Sequence, residues 1–166
     1  MNSMTKKHWN ILKPFIFSFF CVLSNAVAAS DKQEIETILA LEKAPVGVLF
    51  ELIGRENGKY LPEGLEKVEA YKIQLKRKFP NIKVAVVTHG AEQFELTKKN
   101  AIKQSKTHDI VKRITAENVS VHVCSNHASW RGKTEIDFPG YVLASSGAGS
   151  QMREYEDQGY TRVIIY

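Results

Sequence analysis

Cys124 ends the run Val119-Ser120-Val121-His122-Val123-Cys124, and Ser125-Asn126-His127 follows it directly. A thiolate is a strong nucleophile, and helix N-termini or nearby cations favour it over the thiol. His89, His122, His127 and Arg55 are the candidates for that supporting charge. The opposite reading is equally open, since most free cysteines are small buried hydrophobes. Metal binding is a third chemistry. His122 and Cys124 share one face of a strand, and Cys124-x-x-His127 has ligand-like spacing, with His89 nearby. Such soft and borderline donors suit zinc or copper. Three histidines around one cysteine also arise by chance, so no metal and no cofactor is assigned.

The elements that must hold these residues follow from hydrophobic periodicity. Residues 31–43 read as a short helix ended by Pro45, and 46–53 as a first strand. A loop with Gly54, Asn57 and Gly58 precedes an amphipathic helix over 64–79, whose stripe is Leu65, Val68, Tyr71, Leu75 and Phe79. Pro80 and Asn81 close it before a second strand, 82–89. Helices are expected over 91–104 and about 107–117. In the strand 119–124, Val119, Val121 and Val123 share one face, and Ser120, His122 and Cys124 the other. A fourth strand over 141–144, a helix over 149–157 stopped by Gly159, and a last strand over 160–166 complete the chain. Alternating strands and crossover helices imply a three-layer α/β/α fold with a mostly parallel five-stranded sheet.

Open parallel sheets bind ligands beyond the strand C-termini. The residues there are Gly54-Arg55, Thr88-His89-Gly90, Cys124-Ser125-Asn126-His127 and Ser145-Ser146-Gly147. The last three open helices or helix-like turns, so free backbone N–H groups face the same edge. The predicted site is therefore Cys124 as nucleophile, with His89, Gly90, Ser125, Asn126, His127, Ser145, Ser146 and Gly147 lining a ligand. No dinucleotide or P-loop glycine motif is present; Ser145-Ser146-Gly147-Ala148-Gly149 is a small-residue turn able to approach an anion. Trp130 reads as a lid or interface aromatic, and Tyr155 and Tyr160 as packing. Asn118-Val119-Ser120 matches a glycosylation acceptor but leads into a buried strand, and is discounted.

The first thirty residues carry Lys6, Lys7 and Lys13, then the apolar run 15–23, then Ala26-Val27-Ala28. This is the pattern of a cleaved signal peptide, with cleavage after Ala28 or Ala29. The run is shorter than the roughly 20 residues that span a bilayer, so no membrane anchor is expected. The domain division predicted is signal peptide 1–28, helical extension 29–44 and α/β domain 45–166. Without the signal, 20 basic residues face 18 acidic ones, and Cys124 is the one cysteine left because Cys21 departs. The remaining charges are interspersed, with only Lys76-Arg77-Lys78 clustered at a helix end, which excludes nucleic acid as the expected partner. Export to the periplasm is expected.

Thr88-His89-Gly90 after a strand, then Val119 to Asn126, Phe138-Pro139-Gly140-Tyr141-Val142 and the terminal Gln158-Gly159-Tyr160-Thr161-Arg162-Val163-Ile164-Ile165 resemble the DsrE/DsrF-like family, the YchN-like sulfur-relay fold. The likeness covers roughly residues 45–166. It implies a three-layer domain that assembles into homo-oligomers, and a cysteine at the position of Cys124 that carries sulfur as a persulfide between partner proteins. His89 and the 125–127 turn would line its pocket. The sulfur-relay members work in the cytoplasm, whereas this chain is expected to be exported. The function expected is handling of a small sulfur species, or another thiol-reactive small molecule, through Cys124, with a sulfur-relay protein as partner. The alternatives are a non-catalytic oligomeric module that binds a small ligand or a partner, and metal handling by His122, Cys124 and His127.

Overall fold

The computed structural model describes residues 30–54 and 60–166. The predicted signal segment, and Arg55, Asn57 and Gly58, lie outside the described residues. Five strands, β1 (Gly47–Leu52), β2 (Lys83–Thr88), β3 (Ser120–Cys124), β4 (Leu143–Ser145) and β5 (Tyr160–Ile165), form one sheet in the order β4-β3-β2-β1-β5. All four pairings are parallel. The helices are α1 (Asp31–Ala40), α2 (Tyr60–Lys78), α3 (Ser105–Ala116), α4 (Ser125–Ser129) and α5 (Ala148–Asp157). Among the described residues, no helix is long and apolar enough to cross a membrane.

The strand order dictates which face each helix covers. From β1 to β4 the chain steps steadily towards one edge, and it then returns to the far edge for β5. Crossovers between parallel strands are right-handed, so a reversal of direction moves the connecting helix to the opposite face. The larger core accordingly joins Val48, Phe50 and Leu52 of β1 and Val121 and Val123 of β3 to α1, α2 and α3. Leu49, Ala85, Val87 and Cys124 instead meet Ala148 and Met152 of α5, with Tyr155 and Tyr160 against them. The alternation expected in β3 holds: its valines enter the larger core and Cys124 the smaller one.

Helix α1 ends at Ala40 rather than 43 and other ends shift by one or two residues; three further differences from the sequence reading have a physical cause. Helix α2 begins at Tyr60, not 64, with Pro62 in its first turn, where its missing N–H is tolerated. The helix expected over 91–104 is instead two 3-10 turns, Ala91–Leu96 and Lys98–Asn100. Side chains there outcompete the α-helical ladder. The Glu92 carboxylate turns back to accept from Thr88 Oγ1 and from the N–H groups of His89 (3.2 Å) and Gly90 (2.8 Å). Thr97 is extended, and its hydroxyl and the Asn100 amide both donate to the Phe94 carbonyl. Finally, β4 starts at Leu143, because the preceding Tyr141 is held by a hydrogen bond between its hydroxyl and His108 Nδ1 of α3.

Phe50 is fully buried and stacks with Tyr71, ring centroids 6.2 Å apart. Its replacement by alanine removes the largest side chain of the central core, at a cost of about 3–5 kcal/mol. Urea denaturation will show this as a large fall in midpoint; a change below about 1 kcal/mol would mean the larger core is not organised around β1.

Candidate functional site

Cys124 closes β3 and caps α4, and its Sγ accepts the His127 N–H at 3.5 Å. The residue is 8% exposed. Its own N–H donates to Gln93 Oε1 at 2.7 Å, which ties the end of β3 to the 3-10 turn after β2. His127 donates from Nδ1 to the His89 carbonyl at 2.6 Å, so the turns after β2 and β3 are bonded to each other. The His127 ring meets Phe94 edge-on at 5.4 Å and lies 5.6 Å from Trp130, which is largely exposed.

The turn after β4 joins the same edge. Cys124 pairs with Ser145 in the ladder, and a side chain at Gly147 would come within 3.4 Å of the Asn126 amide. The connection leaving β3 packs Ala128 and Phe138 into the larger core, while the one leaving β4 enters α5 on the other face. Adjacent connections that part to opposite faces open a crevice at the strand ends. Cys124 and the 145–147 turn flank that crevice. Ser125 is half-buried in the first turn of α4, and Ser146 is exposed.

His122 does not supply the charge expected of it. Nε2 meets the Tyr155 hydroxyl at 2.9 Å and Nδ1 meets Ser145 Oγ at 2.8 Å, while Ser145 itself bonds to Gln151 Oε1 at 2.9 Å. With Ser145 donating to Gln151, Nδ1 carries the proton and Nε2 accepts from Tyr155, so the imidazole is neutral. Burial pushes its pKa down in the same direction. Tyr155 is therefore more than packing, whereas Tyr160 fills the space a side chain at Gly47 would need. The donors of the metal reading are engaged elsewhere in this geometry. Both His122 nitrogens are committed, His127 Nδ1 is bonded to a carbonyl, and among the described residues no group of three His, Cys, Asp or Glu is arranged to hold a metal ion.

A charged array on the smaller-core face was not anticipated. Glu51 is 4% exposed; Oε1 lies 2.8 Å from His89 Nε2 and Oε2 lies 2.8 Å from Arg162. The His89 hydrogen bond first, and then the Arg162 charge, hold Glu51 below the usual carboxylate range against the opposing effect of burial. The same bond pushes the His89 pKa up. Glu51 interrupts the apolar run Val48-Leu49-Phe50-Glu51-Leu52-Ile53, a sequence signal for a buried partner-seeking charge. Glu92 and Gln93 carried no comparable signal, because in a helix they read as solvated. Glu92 is 1% exposed and packs between Gly54 and Gly90, where a Cβ on either glycine would overlap its carboxylate.

No protein-family model matches this sequence, and no curated protein matches it. Solved structures do. The protein MTH1491 from Methanobacterium thermoautotrophicum, itself of unknown function, superposes with a TM-score of 0.57 at 16% identity, over 71% of this chain and 97% of that one. The ychN protein of E. coli gives 0.51 at 13% identity, covering 72% and 99%. BT1422 from Bacteroides thetaiotaomicron gives 0.50 at 14%, covering 70% and 93%. The chain thus has the YchN-like fold, the fold of the DsrE/DsrF-like proteins, with an all-parallel five-stranded sheet between helices.

Glu95 offers a pH test of this edge. It is 8% exposed, Oε1 has no hydrogen-bond partner, and burial, with Glu92 adding to it, pushes its pKa to about 7. A carboxyl whose folded pKa is raised gives stability that is fully present below the unfolded value and is lost as pH rises through the folded one. Denaturant midpoints should therefore decline as pH rises from about 4.5 to about 7 and level off above it, and Glu95→Gln should flatten that decline. An unchanged decline in the variant would assign it to another group.

Proposed function

We propose that the chain is an exported YchN-like protein that accepts and passes on sulfur, or reacts with another thiol-directed small molecule, through Cys124. One observation carries this reading. At the crevice between the ends of β3 and β4, the Cys124 sulfur accepts a backbone N–H from His127. A donor at that place stabilises negative charge on sulfur, the form that attacks and the form that leaves. The roles of Gln93, which anchors the Cys124 backbone, and of the joined turns after β2 and β3 fit a nucleophile held in a defined position.

The burial of Cys124 in the smaller core favours one alternative, a non-catalytic oligomeric module that binds a small ligand or partner in the same crevice. The two readings differ in a single reaction. Incubation of the purified protein with polysulfide, followed by intact mass, should add sulfur to the wild type and none to Cys124→Ser. Uptake that survives in Cys124→Ser, or a wild type that neither gains sulfur nor labels with iodoacetamide, would leave the binding module as the better reading. Expression with periplasmic fractionation tests the location: the mature chain should begin at Ala29 or Ser30, and an uncleaved cytoplasmic chain would remove the export part of the proposal.

A further inference from the structure

Three histidines stand at the ligand edge, and their hydrogen bonds separate them. His122 is held neutral between Tyr155 and Ser145. His127 spends Nδ1 on a backbone carbonyl. His89 alone is bonded to a carboxylate, and its side chain is 31% exposed. Both oxygens of Glu51 are engaged, one by His89 and the other by Arg162, and the carboxylate itself lies buried behind them. Ionised Glu51 can only accept, so His89 Nε2 carries a proton. Nδ1 has no hydrogen-bond partner among the described residues.

The ladder sets His89 beside the nucleophile. Thr88, the last residue of β2, pairs with Val123, so His89 and Cys124 each follow that pair by one residue, and His127 from the turn after Cys124 bonds to the His89 carbonyl. Alternation puts both on the smaller-core face, because Val87 and Cys124 belong to that core. Among the described residues no hydrogen bond joins Cys124 to His89, and neither the Cys124 thiol nor His89 Nδ1 is spent on the other.

We propose that Glu51 is a positioning residue that presents His89 as the acid for transfer at Cys124, so that the imidazolium protonates the thiolate expelled when Cys124 attacks a sulfur–sulfur bond. The inference rests on the sulfur-handling reading above and extends it to the leaving group. With a low-molecular-weight persulfide, the Cys124 thiolate attacks the terminal sulfur. The Cys124 sulfur–sulfur bond forms as the donor's sulfur–sulfur bond breaks. The electron pair leaves on the donor's inner sulfur, which takes the proton from His89 Nδ1. Neutral His89 keeps its Nε2 proton on Glu51 and is recharged from water. The sulfane sulfur carries its oxidation level with it, so the step needs no external oxidant or reductant.

Charged and titratable groups face His89 from each neighbouring element. Glu51 on β1 bonds to its ring, Glu92 in the following turn accepts its backbone N–H, and Arg162 on β5 sits on the far oxygen of Glu51. His127 of α4 bonds to its carbonyl, and Cys124 of β3 follows Val123, the partner of Thr88. Glu51 foremost and Glu92 after it favour the protonated ring, while burial and Arg162 oppose them. The acid role requires that ring protonated, so the rate must fall as pH rises through its pKa.

The test compares leaving groups that do and do not need a proton. Rates at Cys124 are measured across pH with glutathione persulfide, with glutathione disulfide and with iodoacetamide, whose iodide leaves unprotonated. Glu51→Gln and His89→Gln should slow both glutathione donors by about 100-fold, within the usual range for an acid catalyst, and leave alkylation within about twofold. In Glu51→Gln the alkaline limb should move to lower pH, and Glu51→Asp should restore part of the rate. Equal slowing of all three reagents, or no slowing of the glutathione donors, would overturn the proposal. If Glu51→Gln does not fold, the partly exposed His89→Gln decides alone. A wild type that exchanges with the disulfide in a Glu51-dependent way but takes up no sulfane sulfur would keep the acid role and discard the sulfur-carrier reading.

Discussion

A right-handed crossover is the constraint on which this molecule depends. The chain builds β1 to β4 in steps toward one edge, with α2 and α3 on one face, and then travels back across the whole sheet to place β5 beside β1. That return is possible only along the opposite face, so α5 covers it alone and the second core is small. The divergence of the two paths at the ends of β3 and β4 opens the crevice, and Cys124 stands at that point because its strand, β3, lies beside β4, the last before the turn-round.

The polar edge above the sheet is organised by acids turned inward. Glu92 replaces the backbone ladder of a helix with three hydrogen bonds from the end of β2, and so fixes the turn that carries His89 and Gly90. Gln93, next to it, takes the Cys124 N–H and couples that turn to β3. Glu51 works from beneath, where burial makes an unpaired carboxylate costly; the remedy is two hydrogen-bond donors, Arg162 and His89, each partly exposed at the surface. Glu51 and Glu92 thus hold His89 and Arg162 in place, while the neutral Gln93 amide and the smaller core hold Cys124.

Much of the fold was legible along the chain because a parallel sheet buried on both faces writes near-continuous apolar strands, and its crossover helices write a 3.6-residue stripe. The strands at 46–53, 82–89 and 119–124 and the helix ending at Phe79 all follow that rule. The misread segment at 91–104 shows its limit: its composition suits a helix, but Glu92, Thr97 and Asn100 spend their side chains on the backbone. No periodicity records such competition.

The candidate site divides in the same way. The sequence by itself determined which residues end the strands, and hence that Cys124, His89, His127 and Ser145 share an edge, because strand period and parallel topology leave little choice. Which histidine is neutral, which is paired with a carboxylate, and which residues face Cys124 were decided by tertiary structure alone. Glu51 and Arg162 are 111 residues apart, Gln93 and Cys124 31 apart. Hydrogen bonds of that range depend on strand order and register, and those follow from how the crossovers close, which no local pattern encodes.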